Sequence, residues 1–360
     1  MRVSPWWLRL PAGFGKETKM SRRFPVLALL CCVALCAAPP GYHVIRRIHL
    51  GGEGFWDYLT ADSAQRRLYV SHGTHVVVLD LDTDKVVGDI PDTQGVHGIA
   101  IAGDLNRGFI SDGRTNDVTI FDLTHLNVIG KIPAGTNPDS IVYDPASKRV
   151  FAFNGRSNSA TVIDAAAGTV AATIPLAGKP EYSAVDGAGK LYVNLEDKSQ
   201  LVEIDTSKMA VVNTWPLAPC EEPSGMGIDA SHRRLFIGCH NRMLAVVDGN
   251  TGKVLATPPI GPGVDGNGFD PGPEFGFSAN GGDGTLTLVG QIGGKFDVVE
   301  SVETQRGART MAIDLKTHNV YLPDAEFGPA PAPTADNPHP RPTIVKDSFT
   351  LLVVGPSVLP

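Results

Sequence analysis

One pattern returns seven times along the chain and limits the possible folds more than any other feature. A short apolar run centred on an aromatic residue recurs about every 42 residues, at Tyr69, Phe109, Phe151, Tyr192, Phe236, Phe277 and Tyr321. Aspartate stands seven residues before five of these (Asp62, Asp144, Asp229, Asp270, Asp314) and six before another (Asp186), while Ala102 takes that place in the second repeat. A second acid closes a further apolar run eleven to thirteen residues after the aromatic, as in VVVLD at Asp80, VTIFD at Asp122, ATVID at Asp164, LVEID at Asp205 and LAVVD at Asp248. Self-similarity at such a period is the mark of a repeat architecture.

Each unit reads as four short strands, here A to D, separated by Gly, Pro, Asn and Asp. Gly (40) and Pro (28) together make nearly a fifth of the 360 residues, which fits many turns and few long helices. One four-stranded sheet cannot bury both of its faces, but sheets stacked around an axis can. The repeated acids fit turn-forming roles at strand ends. The expected fold is therefore all-β: a seven-bladed β-propeller of four-stranded antiparallel blades near residues 54–94, 95–136, 137–178, 179–220, 221–264, 265–306 and 307–356. The last repeat stops after strand C, and an unassigned strand, His43 to Leu50, precedes the first. That strand is expected to close the last blade and join the ends of a single domain spanning 42–356.

The repeat rhythm, G/N-P, D, YV-x-N, V-x-V-I-D and I-P-x-G, resembles that of the YVTN-repeat β-propeller family, the YncE-like exported proteins. NPDSIVYDPASKRVFAFNGRSNSATVIDAAAGTVAATIPLAG carries the likeness best, and nearly the whole chain after residue 38 shares it. The resemblance implies a secreted or periplasmic propeller and no particular activity. Streptogramin-lyase and gluconolactonase-type propellers, which are related, are metal-dependent enzymes.

Residues 21 to 38, SRRFPVLALLCCVALCAA, have the charged start, apolar run and small residues of a signal peptide. With Met20 before them, translation is expected to start there, residues 1–19 being a mis-assigned extension. Loss of residues 1–38 removes six basic residues and one acid, moving the formal charge from -7 to -12. Such a balance argues against nucleic acid as a partner. The apolar run is too short for a membrane span, so a periplasmic or extracellular, monomeric protein is expected. Cys31, Cys32 and Cys36 fall in the leader, leaving Cys220 and Cys239. A lone pair in an oxidising compartment implies a disulfide, the alternative being two buried thiols.

Five residues before each strand-A acid position stand Asp57, His97, Asp139, Glu181, Ser224, Asp265 and Arg309. In a propeller these positions line one mouth of the central channel. Oxygens and an imidazole converging there suit a polar ligand held against Arg309, or a divalent cation such as Ca²⁺ on Asp57, Asp139, Glu181 and Asp265. Crowded carboxylates repel, and a cation or partial protonation relieves that. His97 is the best general-base candidate. A solvated structural ring is the competing reading. Residues 325–345, rich in proline, form an insertion between strands B and C of the last repeat. They are expected to extend over the same mouth.

DGNGFD at Asp265 fails as a calcium loop, because its fifth and twelfth positions are Phe269 and Gly276. GAGK at Gly187 has no following Ser or Thr, and H-E-x-x-H, G-x-S-x-G and C-x-x-C-H are absent. Two functions follow: binding of a partner protein or small ligand at the channel mouth, or metal-assisted lyase or lactone-hydrolase chemistry on the Asp/His/Glu ring.

Overall fold

The computed structural model describes residues 41–52, 54–334, 340 and 342–357, so the leader reading lies outside the described residues. Within them the chain forms seven four-stranded antiparallel sheets and no α-helix. In the third sheet Pro138–Asp144, Arg149–Asn154, Ser159–Asp164 and Thr169–Pro175 follow as strands A to D. Five sheets repeat this order over residues 59–90, 96–133, 180–216, 223–256 and 264–303. The seventh draws on both ends of the chain. Ala312–Asp314, Asn319–Asp324 and Thr350–Pro356 supply A to C, and Tyr42–His49 adds the outer strand, Tyr42 opposite Pro356 and His49 opposite Thr350.

Burial explains why these segments stack. None of the seven repeated aromatics is more than 1% exposed, and each contributes roughly 1.5–3 kcal/mol by leaving water. Phe151 and Phe153 of the third blade pack in one cluster with Leu191 and Val193 of the fourth. The repeated acids make the expected Asx turns: Asp62 Oδ1 accepts from the amides of Ala64 and Gln65, and Asp164 and Asp205 act alike.

Arginine stitches neighbouring blades together. Arg107, two residues before its aromatic, donates to the carbonyls of Ala165 and Ala166 in the next blade at 2.9 and 2.6 Å. Arg149 reaches the Thr206 carbonyl at 3.2 Å, and Arg67 that of Leu123. Where the circle closes, Arg66 Nη1 lies 2.7 Å from the buried carboxylate of Asp314, joining blades 1 and 7.

Two irregularities repeat around the wheel. The ladder between the two outer strands slips by one residue in all seven sheets, for example between Val162 and Ile163. A bulge twists an edge strand away from foreign partners. In blades 2 to 6 the A–B ladder also slips, at the start of strand A. On this face the B–C and D–A loops meet: the amides of Gly113, Gly155 and Gly281 donate to the carbonyls of Gly95, Asn137 and Gly263.

Candidate functional site

An inner bulge holds five of the seven channel-mouth residues, those of blades 2 to 6, while Asp57 and Arg309 stand just before strand A of blades 1 and 7. In blade 3, Pro138 faces Asn154 and Ile141 faces Ala152, so Asp139 and Ser140 share one partner position. His97, Glu181, Ser224 and Asp265 fall in the same gap of their own blades. Polar groups of strand B then satisfy the displaced backbone. Ser111 Oγ accepts from the Gly98 amide and donates to the Asp139 carbonyl, and Asn194 Nδ2 donates to the Ser224 carbonyl at 2.6 Å. Ser71 Oγ accepts from the Asp57 amide at 2.8 Å.

The seven expected residues do not form one even ring. His97 Nδ1 lies 2.5 Å from Asp57 Oδ2 and 3.5 Å from Asp139 Oδ1, and one donor atom from each of the three fits within a 4.8 Å span. Glu181 is held apart by Lys179, whose Nζ is 2.8 Å away and also contacts Glu196. Asp265 accepts from Arg309 Nε at 2.9 Å and from Ser224 Oγ at 3.0 Å. Arg309 also donates to the Trp56 carbonyl and lies 5.6 Å over its ring. Of the four carboxylates read as cation ligands, the structure brings together Asp57 and Asp139, with His97, and gives Glu181 and Asp265 cationic partners of their own.

Crowding and burial set the charges. Burial draws the His97 pKa down, but Asp139, Asp57 and Glu181 outweigh it and raise it to about 9. Burial, with the charges of Asp57, Glu181 and Asp265, pushes Asp139 well above the usual carboxylate range despite His97. Burial also lifts Glu181 to about 7 against the pull of Lys179. Asp265 rises through burial and Asp57, with Arg309 and Ser224 opposing.

Above this floor opens a cavity of about 700 Å³ over blades 1 to 3, whose lining includes Trp56, Asp57, His97, Arg114, Arg156 and Arg309. Arg114 and Arg156 were not anticipated. They occupy equivalent B–C hairpin tips, Gly113-Arg114-Thr115-Asn116 and Gly155-Arg156-Ser157-Asn158, where Asn116 and Asn158 turn the chain at φ 61 and 46°. The recurrence of G-R-[TS]-N in consecutive repeats was the signal available. Neither guanidinium has a hydrogen-bond or ion-pair partner among the described residues. Gly113 keeps room for the imidazole: a Cβ there would stand 2.5 Å from His97 Nε2.

Below the floor, Tyr58 and Tyr182 from blades 1 and 4 meet edge to face, ring centroids 4.9 Å apart. A second cavity of about 280 Å³ begins at these rings. Trp56, 3% exposed, packs against Phe349 and Phe327, so the first residues of the insertion between strands B and C rest beside the cavity. Cys220 and Cys239 are bonded as a disulfide, and the DGNGFD segment belongs to strand A of blade 6, bulged at Asp265.

Among solved structures, the chain is similar to hydrazine synthase of Kuenenia stuttgartiensis, with a TM-score of 0.66 and 16% identity over 76% of this chain and 94% of that one. At that identity the likeness establishes the β-propeller fold. No family model matches the sequence, and no curated protein is detectably similar to it. Among the described residues no helix is long and apolar enough to cross a membrane.

Proposed function

We propose that this chain is an exported binding propeller of the YVTN-repeat kind, whose cavity over blades 1 to 3 takes a small ligand bearing two or more acidic groups. The observation that carries this reading is the pair of guanidiniums, Arg114 and Arg156, without partners among the described residues, on equivalent hairpins over a floor where Asp57, Glu181 and Asp265 each have a cationic partner. Arginine forks match carboxylate and phosphate oxygens in paired hydrogen bonds. The volume lies in the range of small-molecule sites. In a protein of formal charge -7 such a spot is a local attractor for anions. The disulfide supports an oxidising compartment, and the repeat motifs support the family.

Calorimetry with di- and tricarboxylates and phosphate esters, in chelator to remove any metal, tests the reading. At least one anion is expected to saturate a single site, with binding that weakens as salt rises. Arg114→Ala and Arg156→Ala should each weaken it about tenfold or more, as loss of a charge-assisted hydrogen bond implies. Absence of saturable binding across the panel, or unchanged affinity in both variants, would refute it.

A further inference from the structure

We infer that Asp57, His97 and Asp139 form a binding site for one first-row divalent metal ion at the floor of the cavity. The three residues come from the entries to three successive blades, and their donor atoms already lie within 4.8 Å of one another. Metal–nitrogen and metal–oxygen bonds of about 2.0–2.2 Å place neighbouring donors roughly 3 Å apart. The present separations, 2.5 and 3.5 Å from His97 Nδ1, straddle that value, so small side-chain movements suffice. Asp139, whose Oδ1 meets His97 only as an ion pair at 3.5 Å, supplies a further sign. It is 9% exposed, and its Oδ1 has no hydrogen-bond partner although it points at the imidazole. A buried acceptor left this way costs free energy that a bound ion would recover.

The donor set selects the class of ion. Ca²⁺ wants six to eight oxygens, and the remaining acids of the mouth, Glu181 and Asp265, are engaged by Lys179 and by Arg309 and Ser224. One imidazole with two carboxylates suits Zn²⁺, Co²⁺ or Mn²⁺, with positions left open toward the cavity. The inference deepens the proposal for the same cavity, and an acidic group held by Arg114 and Arg156 could complete the coordination. It stands on other residues, however, so the two can fail separately.

The test uses the whole chain, stripped with chelator and titrated with Co²⁺, followed by calorimetry and by the visible absorption of the bound ion. Wild type is expected to bind one Co²⁺ that requires His97 and Asp139. Loss of an outer-sphere partner alone typically weakens metal binding 10–100-fold, so His97→Ala and Asp139→Asn should each weaken it by about 100-fold or more and change the absorption. Glu181→Gln and Asp265→Asn should stay within about tenfold. Thermal melting of each variant without metal separates loss of the ligand from loss of the fold. No Co²⁺ binding by folded wild type, or binding unchanged in folded His97→Ala and Asp139→Asn, overturns the inference. Anion binding in chelator, lost with Arg114 and Arg156, reports on the other proposal alone.

Discussion

Asp112 ends strand B of the second blade with its side chain out of water, Oδ2 accepting a hydrogen bond from Thr119 at 2.5 Å. Burial pushes its pKa up to about 7, Asp117 adding to the rise and Thr119 and Lys131, 3.6 Å away, opposing it. A carboxyl whose folded pKa exceeds its unfolded value stabilises most below the unfolded value, near pH 4, and loses that contribution as pH rises through 7. The equivalent positions of blades 3 and 6 carry Asn154 and Asn280, which donate to Thr161 and Thr287. Asp112→Asn should therefore fit, and stabilise the protein at pH 8 by about 1–2 kcal/mol with the gain vanishing near pH 4. Urea unfolding at the two pH values checks this; a gain that is equal at both would exclude the ionisation as its cause. At this scale the sequence was informative about position and silent about pairing. Counting from the strand-A acid located Asp57, His97 and Asp139, yet nothing in the spacing says that Lys179 and Arg309 would claim Glu181 and Asp265. Those partners come from side-chain reach across three-dimensional neighbours.

Each sheet is an element with a regular ladder that slips between its two outer strands, and in blades 2 to 6 slips again at the start of strand A. The inner slip leaves His97, Asp139, Glu181, Ser224 and Asp265 outside the regular pairing, and the outer one twists the exposed edge. Neither was readable from alternation, because a bulge changes the register by one residue without changing which residue types are apolar. In blade 5 a covalent link was readable. Cys220 and Cys239, 19 residues apart, tie the loop before strand A to the end of strand B. Closing a loop of that length should stabilise by about 3 kcal/mol. Replacing both cysteines with serine is expected to lower the free energy of unfolding by that amount in urea, with the fold intact by circular dichroism. A cost of under about 0.5 kcal/mol would make the bond dispensable.

For the whole molecule, closure is the decisive event. Blade 7 is complete only when Tyr42–His49 pairs with Thr350–Pro356, and Tyr42 then packs on Phe277 of blade 6 at 5.4 Å. Deleting residues 41–50 uncovers the strand Thr350–Pro356 and the apolar residues against it. At roughly 1.5–3 kcal/mol per buried large side chain, and roughly 2–4 °C per kcal/mol for chains of this order, a fall in Tm of about 10 °C or more is expected. A synthetic peptide of residues 41–50 should restore much of it. Scanning calorimetry with and without the peptide decides; an unchanged Tm in the truncated protein would show that the outer strand is ornamental.

Seven repeats, four strands in each, a closing strand and a cysteine pair were legible in the chain. They depend on local spacing and on which side chains avoid water, and both are written along one dimension. The division of the channel mouth into a His-centred trio and two separate ion pairs was decided by the tertiary structure, as were the tyrosine contact beneath it and the two arginines above. Side chains far apart in sequence meet there only because the ring has closed, and at such distances a shift of an ångström determines which charges pair.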